Sequence, residues 1–397
     1  MKPIKICFVT REYAHELMGK TGGIGVFLKQ FTEQLSQFNF EIVVFSFGAI
    51  PTRFYDEDVR VVKIRDLSNF IEKFRTLLRR YKVPGYLHIK LGLEYINRFY
   101  ISMYLSIFVL KNKFDLIEFH DYGGDACYFF GSLPKIVRCH GSAVTLHEFM
   151  GYYKRKLDTV FEYKFFKRFN KNIIAVSKFS REMTMEAFNL KTRPQIIYNG
   201  VSIKKSEYTK KYLAKPTEAL SIYYFGSIRE RKGIDIACKT FNKVVLKFPK
   251  ATFHVMGNNN NDHWNKVAVK LLTEEAFEQT VYYGMILNIE VEKYLKRAHV
   301  VLFPSFGENF SVALLEVLAL GKIVVTSNTP SFREVIKHNE NGFIAGDFAD
   351  YYYWIEAIFE QKINLEKISD KAVETLKNNF EMQKIIQQNM NFYKSLL

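Results

Sequence analysis

The sequence predicts an α/β protein with two doubly wound parallel sheets, one in each half of the chain. Its 397 residues are more than one hydrophobic core usually organises. Short strand-like runs alternate with helical patterns throughout, and most runs are β-branched and apolar on both faces. Strands of this kind are typical of parallel sheets that are covered by helices on both sides.

The predicted strands divide into two groups that are large enough for two sheets. The first half contains seven, at residues 4–10, 41–47, 59–64, 115–120, 135–140, 172–177 and 195–200. The second half contains five, at residues 221–227, 252–257, 281–285, 300–305 and 322–327. Each run is bounded by turn or polar residues, as strands usually are.

The boundary between the two predicted domains lies in residues 201–219. This segment is polar, rich in lysine and interrupted by Pro216, which is typical of a linker. We therefore expect domains over residues 1–200 and 217–397, with the last helix as a candidate to cross back to the first. Ligands of open α/β sheets collect at the carboxyl ends of the strands, so we expect a cleft between the domains.

Composition favours a protein of a reducing compartment, and we expect it to be cytoplasmic. The four cysteines form no C-x-x-C pair, which argues against a disulfide framework and a zinc site. The opening MKPIKICFVT is typical of a first strand and not of a signal peptide. The longest apolar stretch, residues 99–110, is shorter than the about 20 residues that cross a bilayer, and we expect a core helix there.

The net charge of +16 is unevenly distributed. Residues 1–200 hold 31 Lys and Arg against 19 Asp and Glu, a net of +12, and the remainder holds 26 against 22, a net of +4. Such an excess indicates an anionic partner for the first half, which could be a membrane surface, nucleic acid or a phosphorylated substrate. Solubility alone is the alternative.

Glycine and histidine residues follow predicted strands in the first half. Gly22, Gly23 and Gly25 open a helix whose free N–H groups could meet an anion, although a plain turn has the same pattern. Their spacing matches neither G-x-G-x-x-G nor a P-loop. His120 and His140 end two strands, where each could bind a sugar hydroxyl or phosphate, or be a satisfied buried imidazole.

The second half places cations and carboxylates after its strands. Arg231 and Lys232 precede a helical pattern, where they would suit a diphosphate or form a solvated basic turn. Glu308 follows the strand at 300–305, and Glu316 lies eight positions further on in an apolar helical run. A carboxylate in that run needs a partner, which could be ribose hydroxyls, a helix cap or an internal salt bridge.

The order of these segments resembles retaining glycosyltransferases of family 4, which have the GT-B fold. The most specific part is a strand, Pro-Ser, Glu308, seven residues, Glu316, small residues and Gly-x-x-Val-Val. Other segments agree in order: the loop at 22–25, FDLIEFHDYGG, CHGS, IIAVSKFSRE, IIYNGV, FGSIRERKGID and REVIKHNENGFI. The resemblance covers essentially the whole chain and implies two Rossmann-like domains facing across a cleft, with a nucleotide-sugar donor bound mainly to the second.

The resemblance also implies roles for individual residues. Arg231 and Lys232 would hold the donor diphosphate, Glu316 the ribose hydroxyls and Glu308 the donor sugar. His140 would lie beside the reacting sugar as a second catalytic residue. Other implied donor contacts are Gly23, Gly25, Asn309, Phe310 and Ser311.

Two positions depart from the family's pattern. Ser227 stands where many members have arginine after the strand's glycine, so the second cation is Arg231 or Arg229, with Arg231 favoured. The loop after Glu308 lacks the usual Gly-Phe-Gly, although its backbone N–H donors remain.

The implied reaction is hexosyl transfer with retention of anomeric configuration and without a cofactor. Cations and N–H groups would stabilise the charge on the leaving diphosphate, so we expect no metal ion in the site. We expect the donor to be a UDP-sugar in preference to a GDP-sugar. Residues 56–58, Asp-Glu-Asp, resemble a metal motif, but we expect an exposed turn between strands. Two carboxylates could also serve a glycoside hydrolase, but the basic site beside them favours a nucleotide sugar.

The first domain is expected to bind the acceptor, with His120 and Asp121 on the acceptor side. Residues 67–82 place apolar side chains on one helical stripe with most arginines off it, and residues 152–172 are rich in cations and aromatic rings. Such segments can lie on anionic lipid or face the core. We expect the acceptor to be a saccharide or a lipid-linked molecule of envelope polysaccharide, lipopolysaccharide or glycoconjugate synthesis. We also expect peripheral contact with the inner face of the cell membrane, and no binding of nucleic acid.

A non-catalytic basic protein that binds polyanions or nucleic acid is the alternative. It would interleave aromatic residues and cations on a sheet or groove, whereas the basic residues here lie largely on helical patterns. This alternative also assigns no role to Glu308 and Glu316. A dinucleotide enzyme would need a G-x-G-x-x-G that the sequence lacks.

Overall fold

A computed structural model describes residues 2–19, 21–150, 156–202, 219–286 and 288–397. The chain divides into two compact units. Unit 1 comprises Met1–Asn199 and Ile385–Leu397, and unit 2 comprises Gly200–Lys384. The predicted linker falls mainly on residues 203–218, and the start of the basic segment at 152–172 falls on 152–155; both lie outside the described residues.

Unit 1 contains one eight-stranded sheet with helices packed against it. Its strands are β1 (Ile4–Val9), β2 (Phe40–Gly48), β3 (Thr52–Asp56), β4 (Val59–Arg65), β5 (Leu116–His120), β6 (Lys135–Cys139), β7 (Ile173–Ala175) and β8 (Gln195–Ile196). Its helices are α1 (Gly23–Leu35), α2 (Ser68–Arg80), α3 (Tyr86–Asn112), α4 (Ala143–Met150), α5 (Lys156–Arg168) and α6 (Lys178–Phe188). The strand order is β3-β4-β2-β1-β5-β6-β7-β8.

Unit 2 contains a six-stranded sheet in which every pairing is parallel. Its strands are β9 (Ser221–Phe225), β10 (Thr252–Met256), β11 (Thr280–Gly284), β12 (Val300–Phe303), β13 (Ile323–Ser327) and β14 (Phe343–Ala345), in the order β11-β10-β9-β12-β13-β14. Its helices are α7 (Ile234–Lys247), α8 (His263–Lys266), α9 (Glu274–Glu278), α10 (Asn288–Leu295), α11 (Val312–Ala319), α12 (Pro330–Arg333), α13 (Phe348–Phe359) and α14 (Leu365–Asn379).

The predicted fold class is confirmed, with one correction to the first sheet. The strand β3 pairs antiparallel with β4, so the sheet of unit 1 is mixed and not wholly parallel. The alternation of exposed and half-buried residues in β3 fits a strand at the sheet edge, which is covered less than a central strand. Residues 57–58 join the two strands as a tight hairpin turn.

The last helix, α15 (Met382–Lys394), begins in unit 2 and docks onto unit 1 through a buried polar cluster. Arg138 of β6 and Glu118 of β5 form an ion pair with 2.6 Å between Nε and Oε1, and both side chains are about 1% exposed. Tyr393 donates a hydrogen bond to Glu118 at 2.7 Å, and Asn389 accepts one from Arg138 at 2.5 Å. The C-terminal residues therefore complete the polar core of unit 1.

The helix α3 corrects a second expectation, because the stretch at 99–110 is not a fully buried core helix. Ile101, Leu105 and Val109 pack into the core of unit 1. On the opposite side, Phe99 and Leu110 are 50% and 79% exposed. Among the described residues, no helix has both the length and the apolar character that crossing a membrane requires.

Candidate functional site

The sheet order of unit 2 brings two loops together at one place. The strand β9 is followed in the chain by β10 on one side, and its other neighbour in the sheet is β12, so the order reverses between β9 and β12. Open α/β sheets bind ligands outside the carboxyl ends of the strands at such a switch point. The predicted basic turn follows β9, and the loop that holds Glu308 follows β12.

A glycine allows the basic turn to reach the neighbouring loop. Gly233 lies between the 3-10 helix of residues 230–232 and α7, with φ of 72°, which glycine adopts most readily. A Cβ at this position would lie 1.9 Å from the Pro304 carbonyl oxygen. Only glycine therefore fits where the basic turn packs on the loop after β12.

Glu308 is buried among the cations of the basic turn. Its side chain accepts a hydrogen bond from Lys232, lies 3.9 Å from Arg231 Nη1, and accepts a hydrogen bond from Ser305 at 3.0 Å. Burial acts to raise the pKa of Glu308, but the charges of Lys232 and Arg231 outweigh it and hold the pKa below its usual value. Glu308 is consequently ionised at neutral pH.

Arg231 also ties the two loops together through the backbone. Its Nη1 donates to the Gly307 carbonyl oxygen at 2.5 Å, and its own carbonyl oxygen accepts from the Phe306 N–H at 2.9 Å. The Tyr224 hydroxyl, at the end of β9, donates to the Ser227 carbonyl oxygen at 2.9 Å. The positions of both cations are thus set by hydrogen bonds on both sides of the switch point.

Glu316 lies on α11 and is half-buried. Among the described residues, its carboxylate has neither an ion-pair partner nor a hydrogen-bond donor. Neither a helix-capping interaction nor an internal salt bridge with these residues therefore accounts for Glu316. Burial raises the pKa of Glu316 to about 7. The cap of α11 is Ser311, whose hydroxyl accepts from the Leu314 N–H at 3.3 Å.

The other predicted donor-site residues of unit 2 lie beside this cluster. Arg229 is half-buried and precedes the 3-10 helix, where its carbonyl oxygen accepts from the Lys232 N–H at 3.0 Å. Asn309 is half-buried in the loop after Glu308. The Phe310 ring is 9% exposed and packs against Phe380 at 5.6 Å between centroids, so its side chain belongs to the core of unit 2.

The sheet of unit 1 has its own switch point, and the predicted histidines lie there. The order reverses between β1 and β5; His120 ends β5, and His140 follows β6. Their rings stack with centroids 4.9 Å apart, and the buried Nε2 atoms of both rings have no partner among the described residues. Burial lowers the pKa of His120 to about 4 and that of His140 well below its usual value, so both rings are neutral at pH 7.

Asp121 is more deeply buried than the two histidines. It is fully buried, and its carboxylate accepts the N–H groups of His140 and Gly141 at 3.0 Å each. Burial raises its pKa to about 7, against the opposing effect of these hydrogen bonds. In this geometry Asp121 positions the His140 backbone, and any contact with a ligand would be indirect.

The glycine-rich segment lies at the start of α1, a helix that contacts His140. Phe27 of α1 contacts His140 with ring centroids 5.8 Å apart. Gly25 is buried, and a Cβ there would lie 2.0 Å from Thr21 Oγ1, whereas a Cβ on the exposed Gly23 would meet nothing within 4 Å. Glu12 accepts the Gly22 N–H at 2.9 Å and so occupies part of this helix start.

Two residues near these clusters were not predicted. Ser305 donates to Glu308, and Glu162 accepts the N–H groups of Gly123, Ala143 and Val144 at 2.8–2.9 Å. Glu162 lies in an apolar, aromatic run, which is the same signal that drew attention to Glu316. Sequence reasoning could therefore have marked Glu162 as a buried acid that holds the loops after β5 and β6.

The acidic segment at 56–58 forms the hairpin between β3 and β4. Asp56 pairs with Lys29, while Glu57 and Asp58 are exposed. In the part of the chain that the structure describes, no group of three or more His, Cys, Asp or Glu side chains is placed to hold a metal ion.

Two family models match consecutive halves of the chain. The model described as Glycosyltransferase Family 4 matches residues 21–205, and the one described as Glycosyl transferases group 1 matches residues 205–389. Together they span the chain from the start of α1 into α15.

Relatives of this chain include proteins of bacterial and archaeal origin. An uncharacterized 41.2 kDa protein in the cps region of Klebsiella pneumoniae is 27% identical over 56% of this chain and 61% of its own length. An O-antigen biosynthesis glycosyltransferase of Escherichia coli is 27% identical over 51% and 56%. An uncharacterized glycosyltransferase of Methanocaldococcus jannaschii is 22% identical over 98% of both chains. The chain thus matches somewhat more than half the length of the two bacterial proteins.

Solved structures share the fold over nearly the whole chain. A sucrose-phosphate synthase of Thermosynechococcus elongatus superposes with a TM-score of 0.74 at 14% identity and covers 99% of both chains. An Anabaena protein in complex with UDP-glucose superposes with a TM-score of 0.68 at 18% identity over 99% of this chain and 100% of its own.

Proposed function

Because the chain belongs to the group 1 glycosyl transferases of the family 4 type and has the GT-B fold, we propose that it transfers a hexose from a nucleotide-diphosphate sugar to a saccharide or lipid-linked acceptor, with retention of configuration. The observation that carries the proposal is the cluster of buried Glu308 with half-buried Lys232 and Arg231 at the switch point of unit 2. Two cations beside one carboxylate leave a net positive charge where a ligand of an open sheet binds.

The cations act on the leaving group. Cleavage of the glycosidic bond places the bonding electron pair on the diphosphate, and Lys232 and Arg231 stabilise the negative charge that develops there. Both side chains are about 20% exposed, so they are partly shielded from water and can still contact a ligand. Glu308, which holds Lys232 in position, acts at the donor sugar.

Glu316 binds the ribose of the donor. Its half-buried carboxylate has no protein partner among the described residues, and two adjacent hydroxyls can each donate one hydrogen bond to it. UDP is the favoured nucleotide, which is supported by the fold shared with the Anabaena protein in complex with UDP-glucose.

The acceptor binds to unit 1. The neutral rings of His120 and His140 carry Nε2 atoms that have no partner among the described residues and can exchange hydrogen bonds with sugar hydroxyls. Similarity to the O-antigen biosynthesis glycosyltransferase of Escherichia coli supports an acceptor from envelope polysaccharide or glycoconjugate synthesis.

Thermal unfolding with nucleotides tests the donor site. UDP at 100 times its Kd would stabilise the protein by about 2.7 kcal/mol. UMP is the matched control, because it keeps the ribose and base but lacks the second phosphate that the two cations bind. Equal stabilisation by UMP and UDP would rule out the assigned diphosphate site. Product analysis by NMR then determines whether the donor's anomeric configuration is retained.

The proposed chemistry does not require a metal ion, since two protein cations neutralise the leaving diphosphate. Sugar transfer is therefore expected to continue at an unchanged rate after treatment with EDTA. A loss of activity that Mn²⁺ or Mg²⁺ restores would contradict this part of the proposal.

A further inference from the structure

The side of α3 that faces away from the core of unit 1 is apolar along most of the helix. We call this side the outward arc; it comprises Ile89, Ile96, Phe99, Tyr100, Met103, Ile107 and Leu110. At 100° per residue these side chains fall within an arc of about 100° and span about 30 Å of the axis. Each is at least 37% exposed, and no charged residue of α3 falls within the arc.

Packing within unit 1 does not account for the outward arc. Ile101, Leu105 and Val109 already supply the apolar contacts of α3 with the core. A surface helix normally carries polar residues opposite its buried face, and a helix that is apolar all round is normally covered all round. A contiguous exposed apolar surface of this length is typical of an interaction site.

The helix α2 extends the same apolar surface. It packs on α3 and exposes Phe70 and Leu77 by 57% and 47%, and Tyr81, which directly follows it, is 69% exposed. Of the stripe predicted for residues 67–82, only Ile71 is fully buried. Both helices thus place large apolar side chains in contact with solvent.

The surroundings of the outward arc are strongly basic. Residues 67–112 contain eight Lys and Arg against two Asp and Glu, a net of +6. Both acids are already paired: Glu72 with Lys90 at 2.9 Å, and Glu94 with Arg98. The cations without an ion pair among the described residues are Lys73, Arg79, Arg80, Lys82 and Lys111.

A cavity of about 360 Å³ next to the arc adds further positive charge. It is lined by Pro51, Thr52, Arg53, Lys63, Ile64, Arg65, Tyr100 and Tyr104, so three lining residues are basic and none is acidic. Tyr100 belongs to both the cavity and the outward arc. An apolar surface therefore continues directly into a basic recess.

We propose that the outward arc, the exposed side of α2 and this cavity together bind the surface of an anionic phospholipid bilayer. The apolar side chains enter the boundary between headgroups and acyl chains, and the cations and the cavity take the lipid phosphates. This inference concerns unit 1 and does not depend on the donor chemistry proposed for unit 2.

The positive charge of this surface favours binding to an anionic bilayer over binding to a second copy of the chain. A symmetric dimer through this surface would bring two sets of unpaired cations together, because a two-fold interface uses the same patch on both partners. Like charges in contact oppose such a dimer, whereas an anionic membrane is complementary to them.

Vesicle flotation of the full chain tests the proposal. We expect binding to vesicles of equal parts phosphatidylcholine and phosphatidylglycerol at low salt, weaker binding at high salt, and little binding to phosphatidylcholine alone. Each cation within a Debye length contributes about fivefold to the partition coefficient, so Arg79→Glu/Arg80→Glu should weaken binding at least 20-fold, with the factor of about 5 applied to each of two positions.

Variants of the outward arc identify the surface. Met103→Glu/Ile107→Glu places two carboxylates at its centre and should abolish flotation. Leu246→Glu is the matched control, since Leu246 is an equally apolar residue that is 72% exposed on α7 of unit 2, and it should float like the parent chain. Circular dichroism and UDP-induced stabilisation report that each variant is folded, independently of membrane binding.

A second readout uses Phe99→Trp with brominated phosphatidylglycerol. Quenching of the new tryptophan beyond that of the two native tryptophans, which lie in unit 2, is expected if the arc enters the bilayer. The proposal is overturned if the parent chain does not bind anionic vesicles at low salt, or if the α3 variant binds them equally well. It is also overturned if the parent chain is a dimer in solution and the α3 variant a monomer.

Discussion

At the scale of single residues, the contact between Lys232 and Glu308 links stability to the proposed chemistry. The buried carboxylate would destabilise the folded protein if its cation were absent. The carboxylate in turn holds the cation in position. A ligand diphosphate at this place would meet a lysine whose position is already set. Preorganised charge of this kind acts without a reorganisation cost during the reaction.

Removing both partners should destabilise the protein by less than the sum of the two single removals. Lys232→Ala leaves Glu308 buried without its main cation and is expected to cost about 3 kcal/mol in the free energy of unfolding. Glu308→Ala should cost a similar amount, and the double variant clearly less than the sum. Urea denaturation of the four proteins completes the double-mutant cycle, and strict additivity would argue against a coupled pair.

The two single variants should differ in their effects on kcat and on donor binding. Lys232→Ala is expected to weaken UDP binding and to lower kcat/KM by about 100-fold, since it removes charge stabilisation of the leaving group. Glu308→Ala is expected to lower kcat more than it weakens UDP binding. Kinetics with saturating and limiting donor distinguish these patterns.

Glu316 should make stability and donor binding respond to pH in opposite directions. Its pKa is raised from 4.5 to about 7, so its contribution to stability is present at low pH and is lost as the pH rises through 7. Glu316→Gln removes the buried charge and should stabilise the ligand-free protein at pH 8 by about 1–3 kcal/mol.

The affinity for the donor should increase as the pH rises, opposite to the stability contribution of Glu316. The ionised carboxylate accepts two ribose hydrogen bonds, so UDP affinity of the parent should fall as the pH drops below 7, and the Gln variant should bind weakly at every pH. Calorimetric titration across pH 5.5–8.5 measures this. A variant that bound UDP as tightly as the parent would remove Glu316 from the donor site.

At the scale of secondary-structure elements, the close packing at Gly233 joins two segments of the site that are distant in the sequence. The 3-10 helix of residues 230–232 carries the cations, and the loop after β12 carries the carboxylate. Their distance is set by the absence of a side chain between them, because the Pro304 carbonyl oxygen occupies the place of a Cβ.

Gly233→Ala should therefore damage the fold and the site together. The positive φ and the overlap with a backbone oxygen predict a loss of at least about 2 kcal/mol in the free energy of unfolding. UDP-induced stabilisation should disappear at the same time. Gly92→Ala is the control, since a Cβ on this exposed glycine of α3 meets nothing within 4 Å. It should raise the free energy of unfolding by about 0.5–1 kcal/mol, because alanine is favoured over glycine inside a helix, and leave UDP-induced stabilisation unchanged.

At the scale of the whole molecule, much of the fold could be predicted because the alternation of strands and helices is a local signal. The antiparallel β3 and the three-residue β14 escaped prediction, since short edge strands carry little of the apolar pattern of central ones. The exposure of one side of α3 could not be predicted either. The stretch at 99–110 is apolar on all sides apart from two serines, so its sequence does not encode which side is covered.

Candidate residues were easier to predict than their surroundings. Position after a strand, together with residue type, placed Lys232, Glu308 and both histidines at the switch points of the two sheets, while their roles stay predictions. The partners Asn389 and Tyr393 of Arg138 lie about 250 residues further along the chain, and no local pattern connects them. Long-range polar contacts of this kind depend on how the sheet order and the last helix bring distant segments together.

The helix α15 should contribute measurably to the stability of unit 1. Tyr393→Phe removes a hydroxyl that donates to Glu118 and accepts from Arg138, and it should cost about 1–3 kcal/mol. Tyr353→Phe is the matched control, because Tyr353 is 56% exposed on α13 and its change should stay within about 0.5 kcal/mol. Equal effects in urea denaturation would show that the buried cluster does not support the unit.

The docking of α15 also bears on how the protein forms during synthesis. Ile385 and the residues after it leave the ribosome only after all of unit 2 has been translated, yet they close the core of unit 1. Until then, Glu118 and Arg138 lack two of their partners, Asn389 and Tyr393, so the buried polar cluster of unit 1 is incomplete. Unit 2, which is continuous in the chain, can mature first although it is made second.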